Sequence, residues 1–140
     1  MYPNSLPFAL PLLPVAILTA GLAIHAFRRP KHAGAITFGW LMTGMALWSA
    51  LNILEYIAPS LSEKILSAKL EYIGFAAVPP LWLALALEYT GHAAWLTRRR
   101  RLALITFSTL TFVLALSNEY HHLIWREVGL EPNGFPSLLV

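Results

Sequence analysis

The sequence predicts an all-α fold, a polytopic membrane helical bundle of four transmembrane helices, and three observations carry that prediction. Of 140 residues, 57% are hydrophobic and only 12% are charged, with a mean hydropathy of +0.60. The apolar residues gather in four runs, about Leu6–Phe27, Ala35–Ile57, Ile65–Tyr89 and Leu102–Ser117. The charges fall between runs, in the knots Arg28-Arg29-Pro30-Lys31 and Arg98-Arg99-Arg100-Arg101, and do not spread over a solvated shell. Helices are expected over about 6–27, 35–57, 61–90 and 101–119, with an extracytoplasmic loop over 120–140.

Composition also excludes function classes. The net charge of +3 and pI near 9.5 do not indicate nucleic acid, because the basic residues sit beside apolar runs and build no phosphate-tracking face. With no cysteine there is no disulfide framework, no thiolate chemistry and no Cys-ligated metal. No metal site and no cofactor is expected. The start, Met1-Tyr2-Pro3-Asn4-Ser5, lacks a basic n-region, so no cleaved signal peptide is expected. Internal repeats and low-complexity segments are absent from the sequence.

In the first run, Pro7, Pro11 and Pro14 lie in the opening turns, where helix breakers are best tolerated. His25, beside Arg28 and Arg29, reads as interfacial. The second run ends at Pro59 and carries a stripe of small residues, Gly39, Thr43, Ala46 and Ala50, on which a neighbouring helix can pack. Trp48, Asn52 and Glu55 follow i, i+4, i+7 and share a face. By itself Trp48 reads as a packing aromatic and Asn52 as an interhelical bond. Glu55, within a turn of the helix end, reads equally as a solvated carboxylate or a site residue.

The third run opens on Ser60-Leu61-Ser62-Glu63, the spacing of a capping box, and contains Pro79-Pro80, which should kink it. Either register of the tight turn before it permits a Glu55–Lys69 pair, with snorkelling of Lys69 to headgroups as the alternative. Lys69 and Tyr72 share a face, whereas Glu71 points elsewhere. An arginine of the second knot is expected to neutralise Glu88. The four arginines read as a topological anchor or an anionic-lipid contact. The fourth run is short for a span and rich in Thr and Ser. After it, Ser117 to Trp125 turns polar and aromatic, as a membrane interface does. Adjacent His121 and His122 cannot share a helix face and make a poor metal site.

Orientation follows from lysines and arginines: seven lie in the two knots, and only Lys64, Lys69 and Arg126 on the other side. That asymmetry predicts cytoplasmic knots and an extracytoplasmic N-terminus, in an inner (plasma) membrane protein.

The stretches Leu70-Glu71-Tyr72-Ile73-Gly74-Phe75 and Pro79 through Gly91 resemble the N-terminal seven-transmembrane region of bacterial sensor histidine kinases. The resemblance continues at Asn118-Glu119-Tyr120-His121-His122-Leu123-Ile124-Trp125, similar to that family's Asn-x-x-His-x-Leu-x-Trp ending of the fourth span. It covers span two to Trp125, and the positions of Glu55 and Lys69 fit it. Spans five to seven and any output domain are missing, span four lacks the proline often found in its middle, and the close Ser137 to Val140 reads as an interrupted chain. The resemblance implies a non-catalytic signal-input module, the front four spans of seven. Its partners would be the lipid bilayer, an unidentified small-molecule or lipid signal, downstream cytoplasmic signalling domains and a second copy of the chain. The candidate ligand-binding residues are Asn52, Glu55, Lys69, Tyr72, Asn118 and His121. One alternative is a four-span transporter, which would want a carboxylate deep inside a span. Another is a b-type haem or quinone protein using His25 and His92.

Overall fold

The computed structural model describes residues 6–125, 127–130 and 136–139. Two helices, α1 (Leu6–Ala9) and α2 (Leu12–Phe27), stand where one was expected over 6–27. The break falls at Leu10-Pro11, since Pro11 has no N–H for the preceding turn and its ring crowds that turn's carbonyl. Pro14 makes no second break. It is the third residue of α2, where backbone N–H groups have no intrahelical acceptor in any case.

Gly34, at φ 75°, turns the chain into α3 (Ala35–Ile57). The helix α4 (Leu61–Tyr89) then opens on the capping box: Ser60 Oγ accepts from the Glu63 N–H at 3.3 Å, and the Glu63 carboxylate accepts from the Ser60 N–H at 3.2 Å. Such a cap contributes about 1 kcal/mol. The same turn is closed from the other side by Lys64, only 1% exposed. Its ammonium donates to the carbonyls of Glu55 at 2.8 Å and Tyr56 at 3.3 Å, in the last turn of α3. A cation there meets both the free carbonyls and the negative end of the helix dipole.

Pro79 and Pro80 lie inside α4, which continues through them. Each removes the donor owed to the carbonyl four residues back. For Ala76 the replacement comes from another helix: Ser108 Oγ, on α5 (Arg98–Leu116), donates to the Ala76 carbonyl at 2.9 Å. This is how a helix interior tolerates proline in a bilayer, with a neighbour's hydroxyl satisfying the freed group.

Between α4 and α5 runs a short 3₁₀ turn, Ala93–Trp95. The four arginines form the first turn of α5 instead of preceding it, because Thr97 caps the helix by accepting from the Arg100 N–H. Arg100 stacks its guanidinium 4.4 Å from the Trp95 ring centre and donates to the Trp95 carbonyl. The helix expected over 101–119 ends at Leu116. Ser117 is the hinge into α6 (Asn118–His121), and His122, in the left-handed region, closes that turn. Within 120–140, expected as an extracytoplasmic loop, β1 (Glu127–Leu130) and β2 (Pro136–Leu139) pair antiparallel, with Leu130 opposite Pro136. Arg126, Pro132 and Gly134, used in the sequence reading, lie outside the described residues.

The long helices pack in chain order, each on the next. Ala23, Leu41 and Met42 form the core, with Phe38, Val78 and Leu85 against it. The tightest approach is between α3 and α4 at two glycines. A Cβ on Gly74 would lie 2.5 Å from the Gly44 carbonyl oxygen and 2.9 Å from the Trp48 nitrogen. The small-residue stripe read from the sequence is thus only partly the contact line. Gly39 receives the Phe27 ring of α2, Ala50 is exposed, and α4 is met through Gly44.

Outward, large apolar side chains dominate: Ile17, Trp82, Ile105 and Phe107 are each more than 60% exposed. Three stretches are long and apolar enough to cross a membrane: Pro7–Phe27, Ala35–Ile57 and Leu61–Tyr89. In α5 the arginine-free part, Leu102–Leu116, rises only about 22 Å at 1.5 Å per residue, against ~30 Å of hydrocarbon. The count of four spans is therefore not carried by length and hydropathy.

Candidate functional site at the polar end of the bundle

All six residues singled out by sequence lie at one end of the bundle, opposite the arginines. They fall into three groups with different chemistry.

The first group is acidic. Asn52 on α3 donates its amide to Glu71 Oε2 on α4 at 3.1 Å. Glu71 is only 9% exposed, and the half-buried Glu55 carboxyl and the Trp48 indole lie within hydrogen-bonding reach of it. Sequence reasoning pointed Glu71 away from α3, and the structure reverses that assignment. A stripe of α4 faces α3 at helical spacing: Lys64, Glu71, Gly74, Val78, Leu81 and Leu85. The signal that could have found it is Gly74, the one glycine of α4, since a residue without a Cβ marks the side on which another backbone arrives.

The second group is an ion pair. Lys69 does not meet Glu55; its ammonium sits 2.5 Å from Glu119 Oε1 on α6. Two residues before Glu71, Lys69 is rotated about 200° around α4, so that facing Glu71 to α3 turns Lys69 toward α6. Lys69 holds the exposed Glu119 carboxyl below its ordinary value, through the hydrogen bond and then the charge. A depressed carboxylate contributes stability above its ordinary value of 4.5 and loses that contribution as pH falls through the lowered one. Glu119→Gln is expected to flatten this acid limb of the melting temperature while leaving alkaline behaviour unchanged. An unchanged acid limb in the variant would show that the pair carries no stability.

The third group is a loop latch. Asn118, 1% exposed, accepts from the N–H groups of Ile124 at 2.9 Å and Trp125 at 3.4 Å and donates to the Trp125 carbonyl at 2.8 Å. His121 accepts the Leu123 N–H at Nδ1, 3.1 Å, which leaves Nε2 as the protonated nitrogen facing Ser117 Oγ at 3.1 Å. Both residues thus shape the chain after α5, and that chain delivers buried Trp125 to the ring of Tyr72, 5.9 Å between centroids. Tyr72 also meets Phe75 edge-on. Glu71, Lys64, Glu119 and Trp125 complete the site and were not among the residues selected by sequence.

At the other end, a cavity of about 420 Å³ lies between α3, α4 and α5, walled by Trp40, Leu81, Ala84, Leu104 and Ile105. It touches none of the six residues. Glu88 borders it and accepts from Thr37 Oγ1 at 3.0 Å, while Arg101, also on its wall, forms no ion pair with it, contrary to expectation. His25 and His92 are exposed, and His92 bonds Thr90. Among the described residues no three His, Cys, Asp or Glu side chains gather as a metal site.

A family model described as the N-terminal 7TM region of histidine kinase matches residues 11–140. Comparison with curated proteins and with solved structures finds no match.

Proposed function

Since the chain belongs to the family of N-terminal 7TM regions of histidine kinases, we propose that it is the signal-receiving front of such a sensor, itself without catalysis. Three helices fit to span a bilayer and a lipid-like outer surface make it part of a multi-pass membrane protein. In the proposed arrangement α5 is a fourth span, with its arginines at the headgroups offsetting its short apolar length. The basic asymmetry supports cytoplasmic knots and an extracytoplasmic polar end.

The observation that carries the reading is the joining of α4 to the chain after α5 by Lys69–Glu119 and Tyr72–Trp125. A polar small molecule or lipid headgroup entering among Asn52, Glu55, Lys69, Tyr72, Asn118 and His121 would compete with those contacts. Competition of that kind shifts helix packing by as much as the ligand prefers one packing over the other. Kinase domains further along the chain would read the shift.

Autophosphorylation of the full sensor in nanodiscs tests this. Lys69→Met is expected to move the basal level about fivefold or more, in the range of ordinary coupling energies. A folded variant with unaltered output would remove the site from the signalling path. Topology is tested separately, using the absence of native cysteine. In intact cells an impermeant thiol reagent is expected to label Tyr120→Cys and spare His32→Cys. The reverse labelling would invert the assignment.

A further inference from the structure

One buried atom at the polar end is left without a partner. Glu71 Oε2 takes the Asn52 amide, but Glu71 Oε1 is buried and bonded to nothing among the described residues. The acid nearest to it is Glu55, whose carboxyl lies within hydrogen-bonding reach. Two carboxylates in such contact, one buried, repel strongly if both are charged, and a lone buried carboxylate carries a large desolvation cost.

Among the described residues no ammonium or guanidinium bonds either carboxylate. Lys64 is committed to the Glu55 and Tyr56 carbonyls, and Lys69 to Glu119. The other titratable neighbours are the phenols Tyr56 on α3 and Tyr72 on α4, neither a source of positive charge. The ionisable residues of α5 are its four arginines, at the opposite end. Facing α4 from α6 is Glu119, already on Lys69.

We propose that Glu55 and Glu71 form a proton-binding site, in which one proton held between the two carboxyl groups supplies the missing bond at Glu71 Oε1. Glu71 lies one turn from Gly74, where the α4 backbone approaches that of α3 at Gly44 and Trp48. Loss of the proton places two like charges on the polar side of that crossing. Between that crossing and the short turn that joins α3 to α4, the facing segments that carry Glu55 and Glu71 bow apart. This names a proton as one ligand of the input region and rests on the proposed function only for its link to kinase output. Proton binding and helix separation are properties of the bundle alone.

The test is infrared difference spectroscopy of the full chain in nanodiscs, titrated with base. The expected result is loss of one carboxylic-acid C=O band, absent in Glu71→Gln and shifted or absent in Glu55→Gln. Spin labels at the exposed positions Leu54 and Leu66 are expected to separate as the band disappears, and to stay fixed in Glu71→Gln. If Glu71→Gln does not insert, the band's response to Glu55→Gln decides. No such band, or one indifferent to both substitutions, overturns the proton site. A band removed by sodium at constant pH assigns the site to a metal cation and overturns it equally. A band that titrates without label movement overturns the helix separation. Kinase output enters none of these readouts, so failure of the sensor reading is scored separately.

Discussion

Replacing Gly74 with leucine is expected to separate α3 from α4 and prevent the bundle from reaching its folded form. Even the first carbon of the new side chain would sit 2.5 Å from the Gly44 carbonyl oxygen and 2.9 Å from the Trp48 backbone nitrogen. Both are backbone atoms inside a helix, so neither can rotate away as a side-chain terminus would. Ordinary overpacking costs about 1–3 kcal/mol where side chains can adjust, and an unyielding backbone places this substitution at the upper end or beyond. The separation also withdraws Asn52 from Glu71 and the Lys64 ammonium from the end of α3. Gly74→Ala should show a milder form of the same loss. Gly21, with nothing within 4 Å of a built Cβ, is the control, and leucine there should be nearly neutral. Thermal unfolding in detergent measures all three. A Gly74→Leu protein that melts with the wild type would refute the close crossing.

Asn118→Ala is expected to release the segment after α5 while leaving the helices in place. One side chain satisfies the N–H groups of Ile124 and Trp125 and the carbonyl of Trp125. Alanine strands all three polar groups beside a buried site, and each such loss costs about 1–3 kcal/mol when water cannot substitute. The segment gains more by opening to solvent than by staying unpaired, so the outcome is local unfolding, not global collapse. Trp125 should then leave Tyr72, and the Ile124 and Trp125 amides should lose protection from hydrogen exchange. Asn118→Asp keeps the acceptor oxygen but loses the donor to the Trp125 carbonyl, which predicts intermediate protection. Tyr120, 88% exposed and two residues along the same short helix, should tolerate alanine without effect. Unchanged amide protection in Asn118→Ala would mean that another contact holds the loop.

Some of this molecule was determined by sequence alone, because the interactions concerned are local or depend only on composition. Apolar run length located the three stretches able to cross a membrane. Ser60 and Glu63, three residues apart, specified the start of α4, since a capping box involves only its own turn. The family was legible in spaced polar positions such as Asn118, His121 and Trp125. Their structural role was not legible there, because a buried asparagine bonding two later amides looks in sequence like any interfacial polar residue.

Where helices meet, only the tertiary structure decided. Lys69 and Glu71 lie on opposite faces of α4 by spacing alone, yet spacing cannot say which face looks at α3. The Gly44–Gly74 crossing resolves it, bringing Glu71 to Asn52 and Glu55 and sending Lys69 to Glu119. The partner of Glu88 was likewise chosen by packing, as Thr37 reaches it from α3 while the nearby arginines hold no ion pair with it. Ser108 shows the same division. Two prolines told the sequence reader that carbonyls would be freed, but only the approach of α5 decided that a hydroxyl 32 positions later would satisfy Ala76. A helix's period is intrinsic to its backbone, whereas its rotation about its own axis is set by its neighbours.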